Sequence, residues 1–345
     1  MRQPGVRQTA VRPPGVRRRD TAIGAVDIGG TKIAAAVIGE GGAILAREEM
    51  LTSAPQDPGA AMDFDTAMDR VSSMLERVRS TAGVELSGIG IGCTGPVDPM
   101  TGEVGEVEFL PGWTGCNPPA RLAERFQVGA AMENDADAAA LGEAQWGAGR
   151  GKKSLICVTV GTGIGGGILL DGELYRGAGG AHPEIGHHVI DASGPVCFCG
   201  ATGCWEALAA APAIVRRFLL DASRDAGSPI DDTARDSLTA KAICEMARTG
   251  DAAARRAVEQ EGRYLALGIA NLISLFVPEL IVLSGSVWDS ADLFLPEIRQ
   301  YIGRNYGLVP TNKVELAPAS LGRDAPLIGA SVVWSHRNRE APVPC

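Results

Sequence analysis

Four side chains that bind soft metals lie close together near the middle of the chain. They are His187, Cys197, Cys199 and Cys204, one imidazole and three thiols within eighteen residues. This is the donor set of a closed tetrahedral zinc site, which leaves no position for a reactive water. Glycines and a proline among them allow a short loop to bend around one ion. The spacing therefore predicts a structural zinc, with disulfides or free thiols as the alternatives.

Two carboxylates flank this loop. Glu184 lies three residues before His187, and Glu206 lies two residues after Cys204. A loop made rigid by zinc would hold both carboxylates in place. We therefore expect the two side chains to converge on a polar, uncharged ligand.

A third carboxylate lies where a strand is predicted to run into a helix. The apolar residues 128–132 are followed by Asn134 and Asp135 and then by an alanine-rich stretch. Either residue could occupy the N-cap of that helix. The helix N-terminus would also favour the ionised form of Asp135, as a general base requires. Spacing alone favours a capping role for Asp135.

Two segments share one pattern of an apolar run, a glycine turn and a second apolar run. They span residues 22–39 and 154–170. Each predicts two strands joined by a turn whose backbone could approach a phosphate and its magnesium ion. An ordinary hairpin is the alternative for each. Their similarity predicts two related halves that bind one polyphosphate from both sides. The turn residues are Asp27, Gly29, Gly30, Thr31 and Lys32 in the first unit, and Gly161, Thr162 and Gly163 in the second.

Gly161, Gly163 and Gly166 of the second segment have the spacing of the dinucleotide-binding motif G-x-G-x-x-G. The residues after them predict a strand instead of a helix, which excludes a Rossmann site. Periodicity predicts a helix within residues 57–80 and a buried strand over 84–92, ending at the Gly95-Pro96 turn. A later strand ends in Ser284-Gly285-Ser286, small residues against which a flat ring could lie. Further helices are predicted over 206–222, 237–249, 251–276, 291–305 and 325–337, with a strand over 313–317.

Length and charge limit the function classes. The 345 residues are sufficient for two domains or for one domain with a cleft. The net charge is −9, but residues 1–20 carry +5, so the rest is strongly acidic and unsuited to nucleic acid. The arginine- and proline-rich residues 1–20 predict a disordered tail, with no apolar core of a secretory signal. No run of eighteen apolar residues predicts a membrane span, so we expect a cytoplasmic protein with reduced thiols.

Taken together, the motifs resemble the ROK family of repressors, open reading frames and kinases over residues 22–338. The motifs are Asp27-Ile-Gly-Gly-Thr-Lys, Glu133-Asn-Asp-Ala, Gly161-Thr-Gly, Glu184-Ile-Gly-His and Cys197-x-Cys-Gly-x-x-Gly-Cys-x-Glu. The resemblance implies an α/β, actin-like ATPase (ribonuclease H-like) fold with two lobes around a central cleft. One lobe would comprise residues 21–133 with 324–340, and the other residues 134–323 with the zinc loop 184–206.

The resemblance also implies roles for individual residues. Asp135 matches the base that takes a proton from a sugar hydroxyl. His187 would bind zinc through one ring nitrogen and sugar through the other. The sugar contacts would be Asn134, Asp135, Glu184, His187 and Glu206, with Gly95 in the adjoining loop. The nucleotide contacts would be Gly29, Gly30, Thr31, Lys32, Thr162, Gly163 and Gly285, with Asp27 near magnesium.

The function that the resemblance implies is an ATP-dependent hexose kinase, first of all a glucokinase, that uses Mg²⁺ and holds a structural Zn²⁺. Fructokinase and N-acetylmannosamine or N-acetylglucosamine kinase are the alternatives, because the spacing of motif residues does not determine the shape of the sugar pocket. A sugar-responsive repressor is disfavoured because residues 1–20 cannot form a helix-turn-helix. A homodimer or higher homo-oligomer is expected.

Four short segments depart from the common family pattern. Asp137 stands where Asn is frequent, although polyphosphate-using relatives also carry Asp, which leaves the phosphoryl donor open. Phe109 replaces an Asn, Ser284-Gly-Ser286 replaces three glycines, and His182-Pro183 resembles bacterial fructokinases. His182 is either a specificity signal or a packed loop residue.

Overall fold

The computed structural model describes residues 21–54, 57–107, 109–226, 238–304 and 308–340. The predicted tail, residues 1–20, lies outside the described residues. Within the described part of the chain, no helix has both the length and the apolar character required to cross a membrane.

Two five-stranded sheets form the framework. The first contains β1 (Thr21–Ile28), β2 (Lys32–Ile38), β3 (Ile44–Leu51), β6 (Glu85–Cys93) and β9 (Ala130–Asn134). The second contains β10 (Leu155–Val160), β11 (Ile164–Leu170), β12 (Glu173–Leu174), β13 (Leu280–Ser284) and β14 (Glu315–Pro318). Two short hairpins pair β4 (Ser53–Ala54) with β5 (Asp57–Ala61), and β7 (Val97–Asp98) with β8 (Glu103–Val104).

The two sheets have the same topology. Their strand orders are β3-β2-β1-β6-β9 and β12-β11-β10-β13-β14. In each order, the first three strands pair in antiparallel fashion. The two strands that follow the third one, β1 or β10, run parallel to it. Both predicted glycine turns join the first two strands of a sheet, at the same place in each half. The prediction of two related halves is confirmed.

The helices cover the sheets. They are α1 (Phe64–Ala82), α2 (Pro118–Phe126), α3 (Asp135–Trp146), α4 (Trp205–Ala209), α5 (Ala211–Ala226), α6 (Ala240–Thr249), α7 (Ala252–Phe276), α8 (Ala291–Arg304) and α9 (Ala325–Glu340). Helix α1 begins later than the predicted 57–80, because Asp63 caps it by accepting from Thr66 N–H at 3.0 Å. Residues 57–61 form strand β5 instead, where Pro58 and Gly59 are poor helix formers.

Helices α3 and α9 cross between the two sheets. Helix α9 packs against β6 and β1 of the first sheet as well as against α3. Glycines permit this close crossing: a Cβ on Gly142 would lie 2.9 Å from the Gly329 Cα. Separate apolar cores lie on the outer side of each sheet, around Met68 in the first half and Ile269 in the second. This arrangement fits two lobes joined where α3 and α9 cross. The residue boundaries of the two lobes stay a prediction.

Replacing Gly329 by alanine is expected to lower the free energy of unfolding by about 1–3 kcal/mol. The added Cβ would lie 1.8 Å from the backbone oxygen of Ala138, an atom that cannot rotate away. Urea denaturation measures the effect. Gly303→Ala is the control, since its Cβ would meet no described neighbour within 4 Å. Equal stability of the Gly329 variant and the wild type would show that the crossing is looser than described.

Candidate active site

The carboxyl ends of three parallel strands bring carboxylates together. Asp27 in β1 is in register with Gly92 in β6, and Gly92 is in register with Glu133 in β9. A Cβ on Gly92 would lie 3.8 Å from Asp27 Oδ1 and 3.6 Å from the Cα of Asp135. Gly92 therefore leaves the space in which Asp27 and Asp135 lie near each other, a proximity that the sequence did not indicate.

Asn134 and Gly95, two of the predicted sugar contacts, are in contact with each other. Asn134 Oδ1 accepts from Ala136 N–H at 2.8 Å and thereby caps α3, while Asn134 Nδ2 donates to Gly95 O at 3.3 Å. Of the two predicted capping residues, Asn134 is the N-cap, and Asp135 is the first helical residue. Asp135 also accepts from Ala136 N–H at 2.8 Å. The carboxylate of the predicted base is thus fixed by its own helix N-terminus.

Burial changes the acidity of both carboxylates. It raises the pKa of Asp135, and the hydrogen bond from Ala136 N–H and the charge of His182 oppose that rise. Burial, followed by the charge of Asp135, raises the pKa of Asp27 to about 7, against the opposing charge of Lys32. Two neighbouring half-buried carboxylates that repel each other would be stabilised by a divalent cation. These oxygen donors fit Mg²⁺, whose preferred ligands are carboxylates, water and phosphates.

A buried threonine holds the first glycine turn. Thr52 Oγ1 donates to Gly29 O at 2.7 Å, and Thr52 N–H donates to Thr31 O at 2.9 Å. Thr52 is fully buried, so both bonds are shielded from water. The Lys32 ammonium lies 3.5 Å from Glu49 on the surface, and a contact with phosphate would require it to leave this pair. Sequence reasoning missed Thr52 because no motif marks a residue 23 positions from the turn that it supports.

Phe109 lies against the same turn. A Cβ on Gly30 would be 2.7 Å from the Cβ of Phe109, whose side chain is otherwise 57% exposed. Trp113, nearby in the chain, is fully buried and donates through its indole N–H to Met62 O at 2.9 Å. Glycine at position 30 is therefore favoured by the close approach of the Phe109 side chain.

Glu206 reaches the second glycine turn. Its Oε2 accepts from Ile164 N–H at 2.7 Å, and a Cβ on Gly163 would lie 2.5 Å from the same oxygen. The wall beside this turn is made by Gly285, whose φ of 97° places a Cβ 2.4 Å from Val160 O. Only glycine fits at position 285. Gly285, a predicted nucleotide contact, and the second glycine turn are thus neighbours. Glu184, by contrast, is exposed on the predicted zinc loop.

The four predicted metal ligands form a cluster. His187 Nδ1 lies 3.5 Å from Cys197 Sγ, Cys199 Sγ lies 3.6 Å from Cys204 Sγ, and all four ligand atoms lie within 4.8 Å of one another. Sulfurs bound to one tetrahedral zinc are separated by about 3.8 Å, so the cluster fits this ion. The cysteines in the described part of the chain are free thiols, which removes the disulfide alternative there.

The zinc loop connects directly to α4. Trp205, next to Cys204, is fully buried, and a Cβ on Gly268 of α7 would lie 2.0 Å from its ring. Glu206 follows and binds the second turn. The Cys/His cluster, helix α4 and the second glycine turn are therefore linked through the three consecutive residues 204–206.

Buried charges surround the start of α3. Asp137 Oδ2 lies 2.5 Å from Arg176 Nη1 and 2.9 Å from His182 Nδ1. Arg176 also pairs with Glu133, which Arg337 of α9 contacts at 3.1 Å. Sequence reasoning missed Arg176 and Arg337, because neither lies in a motif.

Comparisons with known proteins agree with this geometry. The family model described as "ROK family" matches residues 23–337. A glucokinase from Streptomyces coelicolor is 35% identical over 318 residues, covering 89% of this chain and 95% of that protein. The crystal structure of a ROK family glucokinase from Streptomyces griseus in complex with glucose and AMPPNP superposes with a TM-score of 0.74. It is 33% identical and covers 90% of this chain and 98% of that one.

The crystal structure of a ROK hexokinase from Thermus thermophilus also has a TM-score of 0.74. It is 32% identical, with coverage of 92% of this chain and 99% of that one. The predicted actin-like ATPase (ribonuclease H-like) fold is thereby confirmed. On its repeated sheets, its motifs and its match over most of its length, the chain belongs to the ROK family.

Proposed function

We propose that this protein is an ATP-dependent hexose kinase, with glucose as its first candidate substrate and glucose 6-phosphate as the product. The observation that carries the proposal is the placement of Asp135. It is a half-buried carboxylate at a helix N-terminus, beside the Asn134–Gly95 contact and near Asp27. The likeness to a glucokinase solved with glucose and AMPPNP supports the choice of both substrates.

The chemistry needs few groups. Phosphoryl transfer is mainly a matter of positioning the reactants and neutralising charge, with one base for the proton of the attacking hydroxyl. Asp135 would accept that proton, while Asn134, Glu184, His187 and Glu206 would orient the hexose. Asp27 would hold Mg²⁺, which when bound neutralises charge on the phosphates. The bond formed joins the sugar oxygen to the γ-phosphorus, and the bond broken releases ADP.

The two glycine turns would bind the phosphates of ATP. Their backbone can approach an anion closely because residues 29, 30, 161 and 163 carry no side chain. Gly285, packed against Val160, would leave room for the adenine ring. His187 would bind zinc through Nδ1, which faces Cys197, and would present Nε2 to the hexose.

A coupled assay of ADP release tests the proposal. ATP and Mg²⁺ are supplied with glucose, fructose, mannose, N-acetylglucosamine or N-acetylmannosamine, and the series is repeated with polyphosphate as the donor. We expect turnover with ATP and the highest kcat/KM for glucose. A preference for fructose would transfer the proposal to fructokinase, and absence of turnover with every sugar would refute a kinase. The expected homo-oligomer and cytoplasmic location stay predictions, which light scattering and cell fractionation test.

Glu206→Ala is expected to raise the KM for ATP about tenfold, in addition to weakening glucose binding. The reason is that the carboxylate fixes the second turn through Ile164 N–H. Initial rates at varied ATP measure the change. Glu206→Gln serves as the control, since its amide oxygen can still accept from that N–H and should restore most of the ATP affinity. An unchanged KM for ATP in the alanine variant would contradict a role in the turn.

A further inference from the structure

Two of the residues that depart from the family pattern are in contact. Asp137 and His182 are 45 positions apart, yet His182 Nδ1 lies 2.9 Å from Asp137 Oδ2. The Asp137 side chain is fully buried and the His182 side chain is 9% exposed. A bond this well shielded keeps both groups in one geometry. His182 is therefore packed against α3 and does not project freely from its loop.

The same carboxylate oxygen binds both ends of a glycine-rich loop. Arg176 Nη1 lies 2.5 Å from Asp137 Oδ2, and Arg176 and His182 flank residues 177–181. Gly179 and Gly180 within this loop have positive φ, and glycine-rich segments lose the most conformational freedom on ordering. A buried anion that binds the residue before the loop and the residue after it fixes where the loop ends.

The fixed end of this loop leads to the proposed sugar site. His182 lies two residues before Glu184, and Asp137 lies two residues after Asp135 on the first turn of α3. The His182–Asp137 bond thus joins the segment that carries a proposed sugar contact to the helix that carries the proposed base. Asp137 itself lies against β11, where a Cβ on Gly167 would be 2.9 Å from its Cα.

The charges around His182 favour its protonated form. Burial lowers the pKa of His182, but the hydrogen bond and charge of Asp137 and the charge of Glu184 outweigh burial and the opposing charge of Arg176. The pKa of His182 is raised as a result. The cation in turn lowers the pKa of Asp135, opposing the effect of burial.

We propose that Asp137, Arg176 and His182 form a clamp that positions Glu184 relative to Asp135 for hexose binding. The three act as positioning residues, and the inference rests on the proposed hexose kinase function. The clamp explains why Asp137 and His182 both depart from the family pattern: the carboxylate at position 137 is the hydrogen-bond partner of the imidazole at position 182.

Steady-state kinetics of His182→Ala test the clamp. We expect the KM for glucose to rise about 10- to 100-fold, since a proposed sugar contact loses its position, with the KM for ATP changed less than about twofold. His182→Asn should recover most of the loss, because its amide can donate near the position of Nδ1. The acid limb of kcat/KM should also move to higher pH in His182→Ala, since Asp135 loses the nearby cation while the anions Asp137 and Glu184, which raise its pKa, remain.

Glu143→Gln is the matched control. Glu143 lies on the same helix, is fully buried and binds Ala148, Ser320 and Leu321. It should lower thermal stability without the selective change in KM for glucose. If His182→Ala does not fold, Asp137→Asn, which removes the anion at constant size, carries the same expectation for the KM values of glucose and ATP, but not for the acid limb, because the Asp137 charge itself raises the pKa of Asp135.

Equal changes in the KM values for glucose and ATP, no rescue by His182→Asn, or an unshifted acid limb would each overturn the clamp. These outcomes presuppose an active wild type. Absence of turnover by the wild type with every sugar would refute the proposed kinase function itself, and the clamp for hexose binding with it, so the two failures are distinguishable.

Discussion

Asp135→Ala is expected to lower kcat by about 10²- to 10⁴-fold, the range over which a positioned general base contributes to proton transfer. Binding of glucose should weaken much less, because Asn134 and Gly95 retain their contact without the carboxylate. Turnover is measured by ADP release, and glucose affinity by titration calorimetry. The separation of the two effects is the signature of a group that acts mainly in the transition state.

Two variants sharpen this experiment. Asp135→Asn keeps the size of the side chain and removes its basicity, so its kcat should fall almost as far. Asp69→Ala changes a carboxylate that is 71% exposed and pairs with Arg121 on the surface, and its kcat should equal that of the wild type. An Asp135→Ala enzyme that retains most of its turnover would show that another group takes the proton.

Cys204→Ala removes a predicted zinc ligand, and we expect it to abolish metal binding and to lower the free energy of unfolding by several kcal/mol. Structural zinc contributes about 10–16 kcal/mol in small domains that fold only with metal. Here the two apolar cores remain, so the loss should be smaller than that. Zinc content by mass spectrometry and the thermal midpoint measure it. The KM for ATP should rise as well, because Glu206, two residues from Cys204, binds the second turn.

Cys116→Ser provides the control for zinc loss. Cys116 is a free, partly exposed thiol outside the cluster, and its replacement should leave zinc content and stability unchanged. Chelation of the wild type should reproduce the effects of Cys204→Ala, and added zinc should reverse them. A Cys204→Ala protein that keeps one equivalent of zinc would show that this thiol is not a ligand.

Local features could be predicted from the sequence because they depend on residues that are close together in the chain. The four predicted zinc ligands are close in the chain, so their spacing already limits where their side chains can meet. The two hairpins follow from apolar runs around glycine turns, and the cap of α3 follows from Asn134 before an alanine-rich run. The error at residues 57–61 has a local cause too. The apolar periodicity that continues into α1 outweighed Pro58 and Gly59, both of which disfavour a helix there.

Contacts between distant segments were decided only by the tertiary structure. Thr52 supports the turn at Gly29, and Gly329 allows α9 to approach Ala138, but neither residue carries a local signal. The partnership of Asp137 with His182 and Arg176 joins segments about 40 residues apart. Such contacts form only when the packing of sheets and helices brings the segments together. The sequence specified the type of each chemical group, whereas burial and strand register determined which groups meet.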